Sequence, residues 1–210
     1  MQAPLALDRE TSPLPIVRLS DEDLMGGVAE GDERAFTELV RRYQGRVTNL
    51  VSRVLNDREA SDDLAQEVFV RVHIHRRNYR RGSKFSTWLF TIAANLAKNE
   101  IRRRVRRRNW FSLDALQEML SDSAIQLADP KEGQETALQR GQLQEAVGRA
   151  IAAVPEKYRV ALVLRDIEGF AYEEIGQMLG IPGGTVRSRI NRARGMLKRK
   201  LQPLLRKEGL

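Results

Sequence analysis

The chain has 210 residues, 36 Lys and Arg against 28 Asp and Glu, no cysteine, and only two histidines, His73 and His75. Disulfide frameworks and cysteine-ligated zinc or iron–sulfur sites are therefore excluded, and we expect no catalytic centre, no metal and no cofactor. No apolar run approaches the roughly 20 residues that a transmembrane helix needs, so we expect a cytoplasmic protein without direct membrane insertion. The net charge of +8 points to a polyanionic partner such as nucleic acid.

The charge is distributed in three blocks along the chain. Residues 1–110 carry a net +6, residues 111–148 a net −5, and residues 149–210 a net +7. Two basic blocks separated by an acidic stretch are typical of two nucleic-acid-binding domains whose linker must not adhere to the same surface. An ordinary solvated linker explains the acidic stretch equally well.

The hydrophobic pattern is helical and contains no convincing strands, so we predict an all-α protein of two small helical domains joined by an extended linker. Residues 1–20 contain three prolines and no sustained periodicity, which indicates a mobile N-terminal tail. Changes in composition then place the first domain at 21–108, the acidic linker at 109–134 and the second domain at 135–210.

A helix is predicted from about residue 56 to residue 77, because Asn56 and Glu59 resemble a capping box. Its core stripe includes Leu64, Val68 and Val72. The opposite face mixes polar and apolar side chains, namely Asp63, Gln66, Glu67, Val70 and Ile74. This mixture favours docking onto a partner, and simple solvation of the face explains it about as well.

The carboxylates at the start of that helix suggest a competing enzyme reading, a divalent-metal nuclease built on Asp62, Asp63 and Glu67. Asp63 and Glu67 share a face, but Asp62 points about 100° away from Asp63. No nearby His or Lys completes a plausible site, so this alternative is poorly supported.

The next predicted helix, at about 85–108, carries a ridge suited to unstacked bases. Trp88, Asn95 and Arg102 are seven residues apart and therefore lie nearly in line. Aromatic rings stack on any base, amides read its exposed edge, and cations bind the phosphates. The ridge and the loop before it comprise Tyr79, Arg80, Lys84, Trp88, Asn95, Lys98, Asn99 and Arg102. We predict a single-strand-binding surface here; Trp88 as an ordinary core residue is the alternative.

Residues 170–190 predict a short helix, a turn containing Gly180 and a second helix, which is the pattern of a helix-turn-helix. The predicted buried face of the second helix comprises Val186, Ile190, Ala193, Leu197 and Leu201. Its outward face and flanks carry Thr185, Arg187, Ser188, Asn191, Arg192 and Lys198. Arginine pairs with guanine and asparagine with adenine in the major groove, so this face predicts duplex-DNA recognition. An ordinary basic, solvated helix is the less favoured alternative.

Several separated motifs in this order resemble the bacterial extracytoplasmic-function sigma factors, the compact promoter-specificity subunits of RNA polymerase. The motifs are DLAQEVF at 63–69, KFSTWL at 84–89, IAAN at 92–95, YEEI at 172–175 and GTVRSRI at 184–190. The resemblance implies that Gly176 stands where helix-turn-helix units often carry alanine, a residue also small enough for close packing.

By the same resemblance, the mixed face of the helix predicted at about 56–77 would dock on the coiled coil of the polymerase β′ subunit. The β subunit would be a further partner. The ridge would engage the melted non-template strand of the minus-10 element, and the loop at Tyr79 would receive a flipped base. The second domain would read duplex minus-35 DNA. Stress-response promoters and an anti-sigma factor are further expectations. A helix-turn-helix regulator that acts without polymerase is the runner-up.

Overall fold

The computed structural model describes residues 16–57, 59–114 and 146–207, and every regular element within these ranges is helical, as predicted. Most of the predicted tail and linker lies outside the described residues, as does the start of the predicted second domain. Among the described residues, no helix has both the length and the apolar character needed to cross a membrane.

Eight α-helices are described, four in each half of the chain. The first half contains α1 (Asp21–Glu30), α2 (Glu33–Leu55), α3 (Glu59–Ile74) and α4 (Phe85–Asp114), with 3₁₀ turns at Ile16–Arg18 and Arg76–Asn78. The second half contains α5 (146–152), α6 (Glu156–Leu162), α7 (Tyr172–Leu179) and α8 (Gly183–Lys207), with a π-helical turn at Val163–Ile167 after α6.

Side-chain caps define the boundary between α1 and α2. Ser20 precedes α1, and its Oγ accepts a hydrogen bond from the backbone N–H of Asp23 at 3.0 Å. Gly31 ends α1 with a left-handed φ of 101°, which costs glycine little. Asp32 then begins α2, because its Oδ1 accepts from the backbone N–H groups of Arg34 at 2.8 Å and of Ala35 at 3.2 Å.

The capping box predicted at Asn56 is wrong. Asn56 instead ends α2 in the left-handed conformation, with φ 55° and ψ 42°, and its N–H donates to the Ser52 carbonyl at 2.7 Å. Asp57 instead caps the N-terminus of α3, since its Oδ1 accepts a hydrogen bond from the Ala60 N–H at 3.1 Å. Asparagine serves both kinds of helix end, so the residue type alone did not distinguish them.

Two predicted helix ends also differ from the structure. α3 ends at Ile74 rather than near residue 77, because the 3₁₀ turn that follows brings Tyr79 into the core. α4 continues to Asp114 instead of ending near Arg108. No glycine or proline occurs between Gly82 and Pro130, so nothing in the chain stops this helix at the predicted position.

The core of the first half lies between α2, α3 and α4, which pack against one another. Leu39 and Leu50 of α2 are fully buried, as are Phe85 and Leu89 of α4. Each such leucine contributes about 1.5–3 kcal/mol of hydrophobic free energy before the entropic cost of ordering the chain. The α3 stripe predicted as core is confirmed at Val68 and Val72, both 0% exposed; Leu64, also predicted there, is only half-buried.

The helix-turn-helix predicted in the second half is confirmed as α7, a turn and α8. Gly180 forms the turn with a φ of 64°. The predicted inner face of α8 is buried at Val186, Ile190 and Ala193, while Leu197 and Leu201 are half-buried. Gly176 lies so close to the turn that a Cβ placed there would be 2.9 Å from the Ile181 carbonyl oxygen, so alanine does not fit equally well.

Candidate nucleic-acid and partner interfaces

The mixed face of α3, which we call the docking face, comprises Asp63, Gln66, Glu67, Val70 and Ile74. All five residues are exposed, and Val70 and Ile74 expose 55% and 62% of their surface. Three of them, Gln66, Val70 and Ile74, line an open groove of about 820 Å³ between α2 and α3. Phe36 and Val40 line its other side. Large apolar side chains next to acidic ones on an open groove suit a protein partner better than solvent alone.

The carboxylates on this helix do not form a metal site. Glu67 pairs with Arg71 at 2.7 Å, and both side chains are about half exposed. Asp62 lines the groove beside Gln66. Within the described ranges, no three His, Cys, Asp or Glu residues are grouped to hold a metal ion, so the geometry adds nothing to the nuclease alternative.

The ridge on α4, here called the strand ridge, comprises Trp88, Asn95, Lys98, Asn99 and Arg102. Asn95, Asn99 and Arg102 are exposed, and Trp88 and Lys98 are half-buried. The Trp88 ring centroid lies 5.4 Å from that of Tyr79 and 6.3 Å from that of Phe85. The Trp88 ring therefore packs against Tyr79 and Phe85 on one side, and part of its surface stays accessible. The ridge residues stay in line because they all lie on the single helix α4.

Tyr79 lies inside the fold rather than on the loop surface. It is only 8% exposed, its hydroxyl donates to the Ser83 carbonyl oxygen, and its ring packs against Phe85 and Trp88. Burial raises the pKa of the Tyr79 hydroxyl. This placement lets Tyr79 support Trp88 and shape the loop, while Arg80 and Lys84 of the same loop are exposed. Contact between Tyr79 and a flipped base stays a prediction.

The arginine-rich end of α4 contains one residue with a structural role that the sequence pattern did not reveal. Arg104 bonds Glu100 through Nε at 2.9 Å and Asp57 through Nη2 at 3.0 Å. Arg103 also pairs with Glu100, at 2.7 Å. The Arg104–Asp57 bond ties α4 to the connection between α2 and α3. Arg102, Arg106 and Arg107 are exposed along the same stretch.

The outward face of α8, here called the recognition face, comprises Thr185, Arg187, Ser188, Asn191, Arg192 and Lys198. All are exposed except Thr185, which is half-buried. The Arg187 guanidinium lies 5.8 Å from the centre of the Tyr172 ring. Arg192 donates to the Tyr158 hydroxyl at 3.4 Å, and this bond lowers the pKa of that hydroxyl. Two tyrosines from neighbouring elements thus flank the two arginines.

Arg194 of α8 has a structural role. Its Nε and Nη2 form a two-pronged pair with the Asp166 carboxylate at 2.9 and 2.5 Å. This pair joins α8 to the π-helical turn after α6. The Arg194 positive charge is therefore paired with a carboxylate within the domain, although Arg194 is exposed, as Arg192 is. Spacing alone does not separate the two arginines.

Family models match both halves of the chain. A family model for sigma-70 region 2 matches residues 39–107, and one for sigma-70 region 4 matches residues 144–197. The RNA polymerase sigma-H factor of Pseudomonas aeruginosa is 40% identical over 186 residues, covering 89% of this chain and 96% of the relative. The ECF RNA polymerase sigma-E factor of Escherichia coli K12 is 38% identical over 190 residues, covering 90% and 98%.

Two solved structures share the fold. CnrH in complex with the cytosolic domain of CnrY has a TM-score of 0.64 at 22% identity, covering 87% of this chain and 97% of CnrH. The sigma factor RpoE in complex with the anti-sigma factor NepR, from Bartonella quintana, has a TM-score of 0.59 at 22% identity, covering 80% of this chain and 96% of that one.

These findings define the class as a sigma-70-type transcription initiation factor, which is a DNA-binding protein. Within that class, the chain belongs to the extracytoplasmic-function sigma factors. The docking face and the strand ridge lie within the region-2 match, and the recognition face lies within the region-4 match apart from Lys198, one residue beyond it.

Proposed function

We propose that this sigma factor binds core RNA polymerase and directs transcription from stress-response promoters through three separate surfaces. The docking face meets the β′ coiled coil, and the second domain meets the β subunit. The strand ridge, with Arg80 and Lys84, holds the melted non-template strand of the minus-10 element. The recognition face reads the duplex minus-35 element.

The observation that carries this proposal is that one chain presents two exposed surfaces of different chemistry. α4 presents exposed amides beside a supported Trp88 ring, an arrangement suited to unstacked bases. α8 presents an exposed basic face on a helix-turn-helix, an arrangement suited to the major groove. A regulator that acts without polymerase needs the second surface but has no use for the first.

The decisive experiment is promoter-dependent transcription by purified core polymerase with and without this protein. We expect transcripts with defined start sites only when the protein is present, and mapping those sites identifies the promoter elements. No stimulation over core polymerase alone contradicts the proposal. DNA binding without stimulation would instead support the runner-up regulator.

An anti-sigma factor is part of the same proposal, and it would cover the docking face or the DNA-binding surfaces. The exposed apolar pair Val70 and Ile74 supports this, because such residues need protection when polymerase is not bound. The RpoE structure named above was solved with an anti-sigma factor. We expect this protein to act in the cytoplasm, where polymerase and promoter DNA are found.

A further inference from the structure

Tyr158 of α6 reaches the recognition face from a neighbouring helix. Its hydroxyl oxygen accepts a hydrogen bond from Arg192 Nη1 at 3.4 Å. The half-buried Tyr158 side chain packs against a buried cluster of Val154, Leu162 and Ala193, where α6 packs against α8. The core therefore holds the ring in place, and its hydroxyl meets the exposed side chain of Arg192.

Two cations act on the Tyr158 hydroxyl. The bond from Arg192 lowers the pKa of this hydroxyl, and Lys157 acts in the same direction, although desolvation opposes both. Lys157 Nζ lies 5.0 Å from the centre of the Tyr158 ring. Because Arg192 is the largest cause of the lowered pKa, the ionisation of Tyr158 reports whether the guanidinium lies beside it.

The partner of Arg192 is a neutral hydroxyl, whereas the partner of Arg194 is a carboxylate. Arg194 donates to Asp166 through Nε and Nη2 at 2.9 and 2.5 Å, and the carboxylate compensates its positive charge. A hydroxyl carries no charge, and a single bond occupies one of the five N–H donors of an arginine. The bond to Tyr158 therefore leaves Arg192 its charge and enough donors for a bidentate contact with guanine O6 and N7.

A contact that restricts Arg192 before DNA binds lowers the cost of base reading. A free arginine side chain has many rotamers, and fixing one of them on a base costs conformational entropy. A residue that already limits those rotamers reduces this cost, which is the general effect of preorganisation. At 3.4 Å the bond is long for an N–H···O contact, so it guides the guanidinium without preventing the final adjustment to a base.

We propose that Tyr158 is a positioning residue for minus-35 recognition: its hydroxyl, anchored between α6 and α8, limits the directions that Arg192 takes before it meets a base. This inference rests on the proposed function, since it assigns Arg192 to a base of the minus-35 element. Tyr158 lies 34 residues before Arg192, on a helix outside the helix-turn-helix, so helical spacing in the sequence does not reveal it.

The contact is measured without DNA by alkaline titration of the tyrosinate absorbance of the full-length chain. The chain has four tyrosines, and burial raises the pKa of Tyr43 and Tyr79. Tyr158→Phe should remove an early ionisation, and Arg192→Ala should move that ionisation to higher pH. Arg199→Ala removes the same charge about two turns further along the exposed face of α8 and should leave the titration unchanged. An unchanged titration of Arg192→Ala overturns the contact.

Positioning is measured by competition binding of minus-35 duplexes to the complex of this protein with core polymerase. The quantity is the ratio of Kd values for altered and unaltered duplexes at the base pair where Arg192→Ala loses discrimination. Tyr158→Phe keeps the ring and removes the hydroxyl, so it should lower this ratio about threefold. In the Arg192→Ala background the same substitution should change the ratio no further, because no guanidinium remains to be positioned.

Tyr172→Phe is the matched control, because it removes the hydroxyl of the tyrosine beside Arg187, which meets that arginine with its ring. It should leave the ratio at the Arg192 base pair unchanged, whatever its effect on overall affinity. Circular dichroism of each variant confirms that the helices are retained.

The outcomes separate this inference from the proposed function. An unchanged ratio in Tyr158→Phe overturns the positioning role, even if transcription with core polymerase succeeds. Equal losses from Tyr158→Phe with and without the Arg192 side chain also overturn it, because they indicate a role independent of Arg192. Failure of transcription overturns the proposed function and the positioning role with it, whereas the titration still shows whether Tyr158 and Arg192 are in contact.

Discussion

Gly176 lies where α7 approaches the turn of the helix-turn-helix. A Cβ at this position would be 2.9 Å from the Ile181 carbonyl oxygen, a backbone atom that does not move aside cheaply. Gly176→Ala should therefore destabilise the domain by about 1–3 kcal/mol, despite the better helix propensity of alanine. Urea unfolding followed by circular dichroism measures the change.

Gly195 provides the matched control, because it lies in the middle of α8 and a Cβ there would meet only the Arg199 Nη1 atom, at 3.9 Å. Gly195→Ala should stabilise the domain by up to about 1 kcal/mol. Equal effects of the two substitutions would contradict the steric explanation at Gly176.

Glu38 shows how a residue can make stability depend on pH. Its carboxylate accepts from Arg41 Nη2 and from Arg42 Nε, each at 2.8 Å. These bonds lower the pKa of the Glu38 carboxyl from 4.5 to about 2. The pKa is lower in the folded state, so the stabilisation is fully present above about pH 4.5 and is lost as the pH falls towards 2.

Glu38→Gln should accordingly flatten the loss of stability between neutral pH and about pH 3. The measurement is the urea midpoint as a function of pH. Glu33→Gln, on the first turn of the same helix, should keep the acid dependence of the unmodified chain. If both variants lose stability alike as the pH falls, the Glu38 carboxylate is not the source of the acid dependence.

Arg192 is the residue whose substitution tests base reading most directly. It is exposed on the recognition face and donates to the Tyr158 hydroxyl at 3.4 Å. Arg192→Ala should lose about 1–3 kcal/mol of discrimination between the minus-35 element and altered sequences, measured by competition binding to duplexes. Lys198→Ala should weaken binding to every duplex alike, as expected for a phosphate contact. If Arg192→Ala weakens binding to every duplex by the same factor, Arg192 contacts phosphate and does not read a base.

At the scale of single elements, α3 carries the prediction for the polymerase contact. Val70 and Ile74 are 55% and 62% exposed, so charged substitutions there leave the core intact. Val70→Asp should weaken binding to core polymerase about tenfold or more, since burying one such side chain contributes about 1.5 kcal/mol or more. Val17, which is 61% exposed on the first 3₁₀ turn, supplies the control Val17→Asp. Equal losses in fluorescence titrations would argue against a specific docking face.

Sequence patterns predict the buried faces of the helices better than they predict the helix ends. The stripe of α3 and the inner face of α8 follow from residue spacing, because helical periodicity determines which side chains share a face. Helix ends are less predictable. Asn56 fits either end of a helix, and the end of α4 has no glycine or proline to mark it, so both boundaries depend on the surrounding packing.

At the scale of the whole molecule, the proposed division between melted and duplex DNA makes the two DNA surfaces separable. Asn95 is exposed on α4, so Asn95→Ala removes an amide without disturbing the core. In the polymerase complex it should weaken opened-promoter binding by about 1 kcal/mol, or about fivefold, and leave duplex minus-35 binding unchanged. Arg192→Ala should instead weaken duplex minus-35 binding and leave opened-promoter binding unchanged. Loss of duplex binding by Asn95→Ala would contradict the division.

Composition, helical periodicity and motif order were enough to predict an all-α fold, a helix-turn-helix and three exposed surfaces, because each depends on residues close together in the chain. The roles of Tyr79, Arg104 and Arg194 depend on partners from other elements. The contact between Arg46 and Glu168 spans residues far apart in sequence. Periodicity carries no information about such pairs, since only three-dimensional packing determines which buried charge meets which partner.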